Sequence, residues 1–447
     1  MSTESGRVRH PLAWVPTAYI AEGIPFAMVI WVAGTMFKDL GHSDGQITVA
    51  TASVGLAWSL KPFWAAFLDM YRTKRFFVIS MEFLMAVVIG AIALCLPLPN
   101  YFQAIIAALW VLAFASATQD ICVDGVYITS LDKTKQAAYI GIQGMCWNVG
   151  RIFATAAVVG VAGALQSSKS LDPKVAWTYA LGIAAATMAA LGVYHYFVLP
   201  AGAVTEKPKN TAEVVATFSD TIKDFFRKKQ IWGMLLFVFL YRSGEGFLLI
   251  EGPLFLQAPL DHGGVGLTLQ QKGIIDGTIS TVVSIGGGLL GGAFISKFGL
   301  KKSLFFMALC MNIPHACFLY LSHAVTPEAP LSLTTVGTLV TIEKFGYSFG
   351  FVANMLYMMQ QISPGKYHMT HYAFCTAFMN LVLVPTQMAS GPLADWMGYQ
   401  NFFLFVMIAS IPSIVAAWFA PFPNTPGDEG PTSSAKDPEA SMVARAH

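Results

Sequence analysis

Asp120 and Asp124 stand four residues apart in the stretch 115–131, Ala-Ser-Ala-Thr-Gln-Asp-Ile-Cys-Val-Asp-Gly-Val-Tyr-Ile-Thr-Ser-Leu, which continues the apolar run 105–114. On one membrane-spanning helix that spacing puts both carboxylates on a single face, one turn apart. A charge near the bilayer centre costs roughly 3 kcal/mol on insertion scales. Two on one face therefore predict a watery path or a partner on another helix. Gln119, beside Asp120, adds an amide able to hold a ligand. The alternative is that Asp124, nearer the helix end, reaches only the headgroup region.

Other ionisable residues fall within apolar runs. Glu22 lies about ten residues into the first run, where Gly23 and Pro25 can loosen the helix and free a carbonyl. Arg242 and Glu245 are three apart and can pair with each other. Glu343 and Lys344 are adjacent, so they point about 100° apart and predict partners on other helices. Arg151 has the depth to meet an anionic solute or Asp120. Glu82 and Asp276 sit near the ends of their runs and read as interfacial, Glu251 reads as an outer-end residue, and Lys61, before Pro62, is expected to snorkel. A carboxylate withdrawn from water is disfavoured as an anion, so an acid poised that way can load a proton on one side and release it on the other. The proton-coupling candidates are Asp120, Asp124, Glu22, Glu245 and Glu343; the substrate-binding candidates are Gln119, Arg151, Asn148, Arg242, Lys344 and Asn380. Sodium is the alternative ion, because carboxylates and unwound carbonyls also bind it. Trp31, Trp58, Trp110, Trp147 and Tyr357 could stack on sugar rings, although packing is the commoner role of such side chains.

These residues need a scaffold, and composition says which. The 447 residues are 55% hydrophobic and only 12% charged, with a mean hydropathy of +0.58. Soluble domains carry about 25% charged residues, so most of this chain is expected in lipid. Too little aqueous sequence remains for an independent enzyme domain, and a net charge of +2 makes no case for nucleic acid. The six cysteines all fall in apolar runs without C-x-x-C spacing, which implies neither a disulfide framework nor a metal site. No phosphate-binding G-x-x-x-x-G-K-[ST] loop, nucleophile–base pair or H-E-x-x-H motif occurs; His315 and the in-membrane acids leave a membrane-embedded enzyme as a remote alternative. No cofactor is expected, and the energy source is an ion gradient.

Hydropathy predicts twelve spans near 12–36, 46–68, 76–98, 103–131, 138–165, 174–199, 231–257, 271–296, 303–323, 332–362, 369–393 and 399–421. The fold class is thus an all-α membrane protein of two six-helix bundles, 1–199 and 231–422. Between them, 200–230 reads as a cytoplasmic linker with an amphipathic surface helix starting at Asn210 and closed by Arg227-Lys228-Lys229. The tail 423–447 is polar and reads as disordered. With the N-terminus inside, nineteen of the 27 lysines and arginines fall in inner segments and four in outer loops, so both termini are expected in the cytoplasm. The first run is long enough to span and is read as a retained helix rather than a cleaved signal. Three pairs of similar segments recur at offsets of 227, 232 and 223 residues: 68–77 with 295–306, Asn148 with Asn380, and Glu22-Gly23 with Glu245-Gly246. That is the plan of a six-plus-six parallel repeat, in which ligands bind between the halves near the midplane.

Asp69, Arg72 and Arg75 after the second run, and Lys297 and Lys301 after the eighth, resemble the cytoplasmic loop signature of the major facilitator superfamily, with its charges kept and its first-copy glycines missing. They are gate candidates, a charge lock made and broken as the halves rock. Ser116-Ala117-Thr118-Gln119-Asp120 with Asp124-Gly125 resembles the fourth-helix motif of the AmpG-type permeases in that superfamily. Glu22-Gly23-Ile24-Pro25 is similar to their first-helix motif, and Lys61-Pro62-Phe63-Trp64 with Asp69 to their second. The resemblance implies a proton-driven importer of anhydromuropeptides, the sugar–peptide fragments of cell-wall recycling. It implies a bacterial inner membrane, and Gln119, Asp120 and Glu22 at the cavity. Two departures stand out: the chain ends after twelve spans where many such permeases have two more, and Glu22 stands where they often have glutamine. The alternative is the same machine carrying a siderophore or an oligosaccharide. A channel or sensor is a third class, against which the two-half repeat and cavity acids weigh. The expected partners are a small solute and the bilayer, with the protein a monomer.

Overall fold

A chain this apolar must satisfy its peptide groups internally wherever it crosses lipid, and a helix does so within one segment. The computed structural model describes residues 10–61, 63, 64, 68, 73–131, 133–202, 211–365 and 368–424, and across them it is helical apart from one isolated bridge between Thr326 and Ala329. Among the described residues nine helices are long and apolar enough to cross a membrane, by length and composition: Pro11–Asp39, Lys74–Cys95, Tyr101–Ser130, Ile142–Lys169, Pro173–Val198, Ile231–Gln257, Leu269–Phe298, Leu300–Ala324 and Thr370–Trp418.

Nine is fewer than the twelve the sequence predicts, and the difference has local causes. The predicted second span coincides with the short helices Asp44–Val54 and Leu56–Ser59 and then enters residues of which only part is described. The predicted tenth is helical from Leu333 to Ile362, but Glu343, Lys344, Asn354, Gln360 and Gln361 dilute its apolarity. The predicted eleventh and twelfth run together through Gly398, whose φ of 74° marks the break between them. The linker holds a helix, Thr211–Arg227. The cap expected at Asn210 and the tail from residue 425 lie outside the described residues.

Packing within the N-terminal half depends on close backbone approach. A Cβ on Gly150 would collide with the carbonyl of Ile20, and one on Gly23 with the carbonyl of Trp147, so the first and fifth helices touch through small residues. Three helices carry single π-turns around the molecule's middle: Met28–Val32, Phe153–Val158 and Gly273–Ile279. The last two meet across the halves, where Gly277 lies against the Thr155 carbonyl. Leu94, Leu289 and Trp396 point outward and exposed, as lipid-facing side chains should.

The close approach gives a paired test. Gly150→Ala should destabilise the protein by about 1–3 kcal/mol through overpacking, whereas a Cβ on Gly160 meets nothing within 4 Å. Gly160→Ala should therefore leave the unfolding midpoint in detergent unchanged or slightly raised. Equal midpoints for the two variants would remove the close contact.

Candidate functional site

The first, second and fourth predicted spans bring their charged residues to one place. Lys61 forms an ion pair with Asp120. One turn on, Asp124 accepts a hydrogen bond from the Tyr19 hydroxyl at 2.8 Å. One carboxylate oxygen from each of Glu22, Asp120 and Asp124 lies within 4.8 Å of the others. Glu22 Oε2 is buried with no hydrogen-bond partner. The sequence expectation that Lys61 snorkels is thus corrected: its ammonium turns inward because two carboxylates of the fourth helix and one of the first offer better solvation than the headgroups. The indole of Trp64 donates to Thr118 at 3.2 Å, a second tie between the same two helices. Glu22, Lys61, Asp120 and Ser116 line a cavity of about 310 Å³, with Phe26, Trp58 and Trp147 as its apolar walls and Asn380 from the other half.

A second cavity, about 390 Å³, shares Phe26, Trp58, Trp147 and Asn380 with the first. Its charged lining is mostly cationic, with Arg151, Arg242 and Lys344 accompanied by Asp276. The guanidinium of Arg151 lies 4.3 Å from the centre of the Trp31 ring, a cation–π distance, and its Nε is buried without a partner. Arg242 grips Glu245 through both guanidinium nitrogens that face it, one contact being 2.6 Å from Nη2 to Oε1. Asp276 belongs to this lining rather than to the interface, because the π-turn 273–279 carries it inward.

Several expectations need correction. Glu343 and Lys344 pair with each other at 3.1 Å instead of with separate helices, since the lysine's four-carbon stem spans the angle between them. Gln119 is fully buried away from both cavities, where its amide nitrogen donates to Glu82 Oε1 at 3.3 Å. One residue of helix turns it about 100° from Asp120. Glu82 is likewise no interfacial acid. It is fully buried, and both its oxygens lie within 2.9 Å of His195 Nδ1, whose Nε2 reaches Thr17 at 3.0 Å. Asn148 donates to the Gly144 carbonyl of its own helix at 2.9 Å and lines neither cavity. His315 contacts the Ser410 hydroxyl at 2.9 Å in the buried C-terminal half, away from both cavities.

The expected gate is only partly visible, because Asp69 and Arg72 lie outside the described residues. Arg75 donates to the Tyr196 carbonyl, Lys297 lies 5.4 Å from the Phe298 ring and Lys301 5.8 Å from that of Phe422. None of these three has an acidic partner among the described residues. The halves are instead tied at the opposite helix ends, by residues the sequence did not single out. Asp44 takes both Lys38 and the Tyr399 hydroxyl. The Gly45 N–H donates to Asp395 Oδ2 at 2.8 Å, and the Gly391 N–H to Thr48 Oγ1 at 3.1 Å. Gln257 donates to the Thr35 carbonyl at 3.0 Å, and Gln270 to Ser167 at 2.9 Å. Glu251 is fully buried beside Asp44. Nothing in the local sequence signals the pairings that cross the interface, since each of those partners lies in the other half.

The family model described as Major Facilitator Superfamily matches residues 17–367. The chain is 24% identical over 410 residues to a putative transporter AmpG 4 of Rickettsia conorii, covering 88% of this chain and 92% of that one. It is 23% identical over 410 residues to an anhydromuropeptide permease of Escherichia coli (strain K12), covering 88% and 76% respectively. Among solved structures, the nucleoside transporter NupG superposes with a TM-score of 0.70 at 15% identity, covering 92% of this chain and 98% of that one. A bacterial homologue of the human lysosomal transporter Spinster, inward-facing and unoccupied, does so at 0.68 and 16%, covering 93% and 98%.

The Arg242–Glu245 pair is almost wholly buried, so removing one partner should be worse than removing both. Arg242→Met is expected to cost about 3–5 kcal/mol of stability, and Arg242→Met with Glu245→Met to recover most of it. Unfolding midpoints of the purified variants decide; a double variant no better than the single would mean that Glu245 has another cation to pair with.

Proposed function

This chain belongs to the Major Facilitator Superfamily, and from that premise we propose that it is a proton-coupled importer of anhydromuropeptides, working by alternating access in a bacterial inner membrane. The reading includes twelve crossings with both termini in the cytoplasm, which the distribution of lysine and arginine supports. The observation that carries it is the pairing of two adjoining cavities, one holding Glu22, Asp120 and Lys61, the other Arg151, Arg242 and Lys344.

The acidic side suits coupling. Lys61 is paired with Asp120. Protonating Asp120 or its neighbour Glu22 lowers the local negative charge and frees Lys61 to move or to meet a solute. Three carboxylates within 4.8 Å of one another do not all ionise without cost, so uptake of a proton there is coupled to which other charges occupy the cavity. The cationic side suits the cargo. A sugar–peptide carries carboxylates that Arg151 and Lys344 can pair, and pyranose faces that fit the indoles of Trp31, Trp58 and Trp147. The relative from Escherichia coli is named an anhydromuropeptide permease, which supports this solute over a siderophore or an oligosaccharide. The ties among Lys38, Asp44, Tyr399 and Asp395 close one end of the interface between the halves. On the charge-derived orientation that end is the outer one, so this arrangement faces inward.

Proteoliposomes loaded at pH 7 and given an acidic exterior should accumulate labelled anhydromuropeptide, and Asp120→Asn should reduce accumulation to background. A sodium gradient without a pH gradient should not drive it. Accumulation by Asp120→Asn equal to wild type would overturn the coupling role of that acid. Absence of uptake by monodisperse wild-type protein would overturn the solute, with siderophores and oligosaccharides as the next substrates to assay.

A further inference from the structure

The linker helix Thr211–Arg227 docks under the C-terminal half by burying Phe225, whose ring centre lies 5.4 Å from that of His371 and 5.8 Å from that of Phe374. Phe226 turns the other way and stacks on Trp232 at 5.4 Å, with 46% of its surface exposed. Beside that pair runs a groove of about 670 Å³. Leu60 and Phe63 of the N-terminal half form one wall, Phe226 of the linker the floor, and Trp232, Leu236 and Leu381 of the C-terminal half the other wall. Ser59 brings the one hydroxyl among its lining residues. From Trp232 to Phe239 the groove follows its helix for about 10 Å, at 1.5 Å per residue.

A flat apolar face needs no specific occupant in a membrane, but this is a concavity between two halves, and one end of it is charged. Arg227, Lys228 and Lys229 follow Phe226 directly. The Lys228 ammonium donates to the carbonyls of Ile362 at 2.6 Å and Pro364 at 2.7 Å, and burial holds its pKa below the ordinary lysine value against the nearby Asp224. Lys223 faces Asp220 at 3.8 Å, and Asp224 faces His371 at 3.8 Å. Arg227 and Lys229 are exposed and have no acidic partner among the described residues. A hydrocarbon-lined slot whose lining residue Phe226 is followed directly in the chain by Arg227 and, two residues later, by Lys229, both exposed, is complementary to an amphiphile with an acyl chain and an anionic head.

We propose that this groove is a binding site for an anionic phospholipid of the surrounding leaflet, with one acyl chain lying between the halves and the phosphate on Arg227 and Lys229. Because the walls come from both halves, the lipid's contacts change when the halves move, and a bound lipid favours the arrangement described here. The site rests on membrane insertion and not on the identity of the transported solute.

The full-length protein, purified in detergent and titrated with palmitoyl-oleoyl phosphatidylglycerol or the matching phosphatidylcholine, should retain the anionic lipid in native mass spectra with a preference on the order of tenfold, as two membrane-facing cations imply. Arg227→Ala with Lys229→Ala should level the two lipids. Leu381→Trp, which fills the groove, should lower retention of both. A readout that leaves the basic run intact is tryptophan fluorescence: phosphatidylglycerol brominated on its acyl chain should quench the wild type more than Trp232→Phe. Equal retention of the two lipids by the wild type would overturn the proposal, as would a preference that survives both the double variant and Leu381→Trp. Equal quenching of wild type and Trp232→Phe would overturn the placement of the chain.

Discussion

Charge withdrawn from water must be compensated nearby, and inside a bilayer no solvent is at hand to do it. In this molecule the deep ion pairs are each closed within one half. Lys61–Asp120 belongs to the N-terminal half, and Arg242–Glu245 and Lys344–Glu343 to the C-terminal half; the buried Glu82 likewise contacts His195 of its own half. Movement of one half against the other, as the proposed mechanism requires, would leave these pairs intact. The polar contacts that do cross between halves gather at one end, where Asp44, Tyr399, Asp395, Gly45, Thr48 and Gly391 meet. On the charge-derived orientation that end is the outer one, so breaking them there would expose polar groups to water rather than to lipid. The arrangement separates charge pairs closed within one half from polar contacts that join the two, as the proposed alternating access requires.

The same separation is built into the backbone. Within the N-terminal half, Gly23 and Gly150 let two helices touch through their main chains, which favours motion of the half as one body. Between the halves the contact at mid-depth is made by π-turns, 153–158 against 273–279, where the regular ladder is already interrupted. One of these turns follows Arg151 and the other contains Asp276, so irregular backbone occurs beside the lining of the second cavity.

Much of this was legible in the sequence, and what was not has a common cause. Helix positions, the acids of the first and fourth helices, Arg151 and Lys344 follow from hydropathy and spacing, because these are properties of single segments, and Asn380 follows from its repeat match with Asn148. The fourth-helix resemblance implies Gln119 at the cavity with Asp120, and a rotation of one residue puts it against Glu82 instead. Glu82 and Asp276 were assigned to the interface from their nearness to run ends, yet His195 and the π-turn at 273–279 decide where they go. Lys61 sits before a proline near a run end, which reads as snorkelling until Asp120 is known to lie opposite. Lys38, Asp44 and Tyr399 gave no signal, since 355 residues separate Asp44 from its hydroxyl partner.

What results is a cavity divided by charge along the line between the halves. The acids come from the first and fourth helices of the N-terminal half. Two of the three cations come from the C-terminal half, Arg242 and Lys344, and the third, Arg151, projects from the fifth helix towards them. Trp58, Trp147, Phe26 and Asn380 border both sides. A solute spanning the divide touches both halves at once, so its binding energy bears on the angle between them. A proton on the acidic side touches only one half. On the proposed proton-coupled reading, coupling of the two would therefore pass through charge: the protonation state of the acids around Lys61 would set the field that a solute bound to the cations experiences. At an effective dielectric near 20, two unit charges 8 Å apart interact by about 2 kcal/mol, enough for one proton to change solute affinity by more than tenfold without any contact between the two.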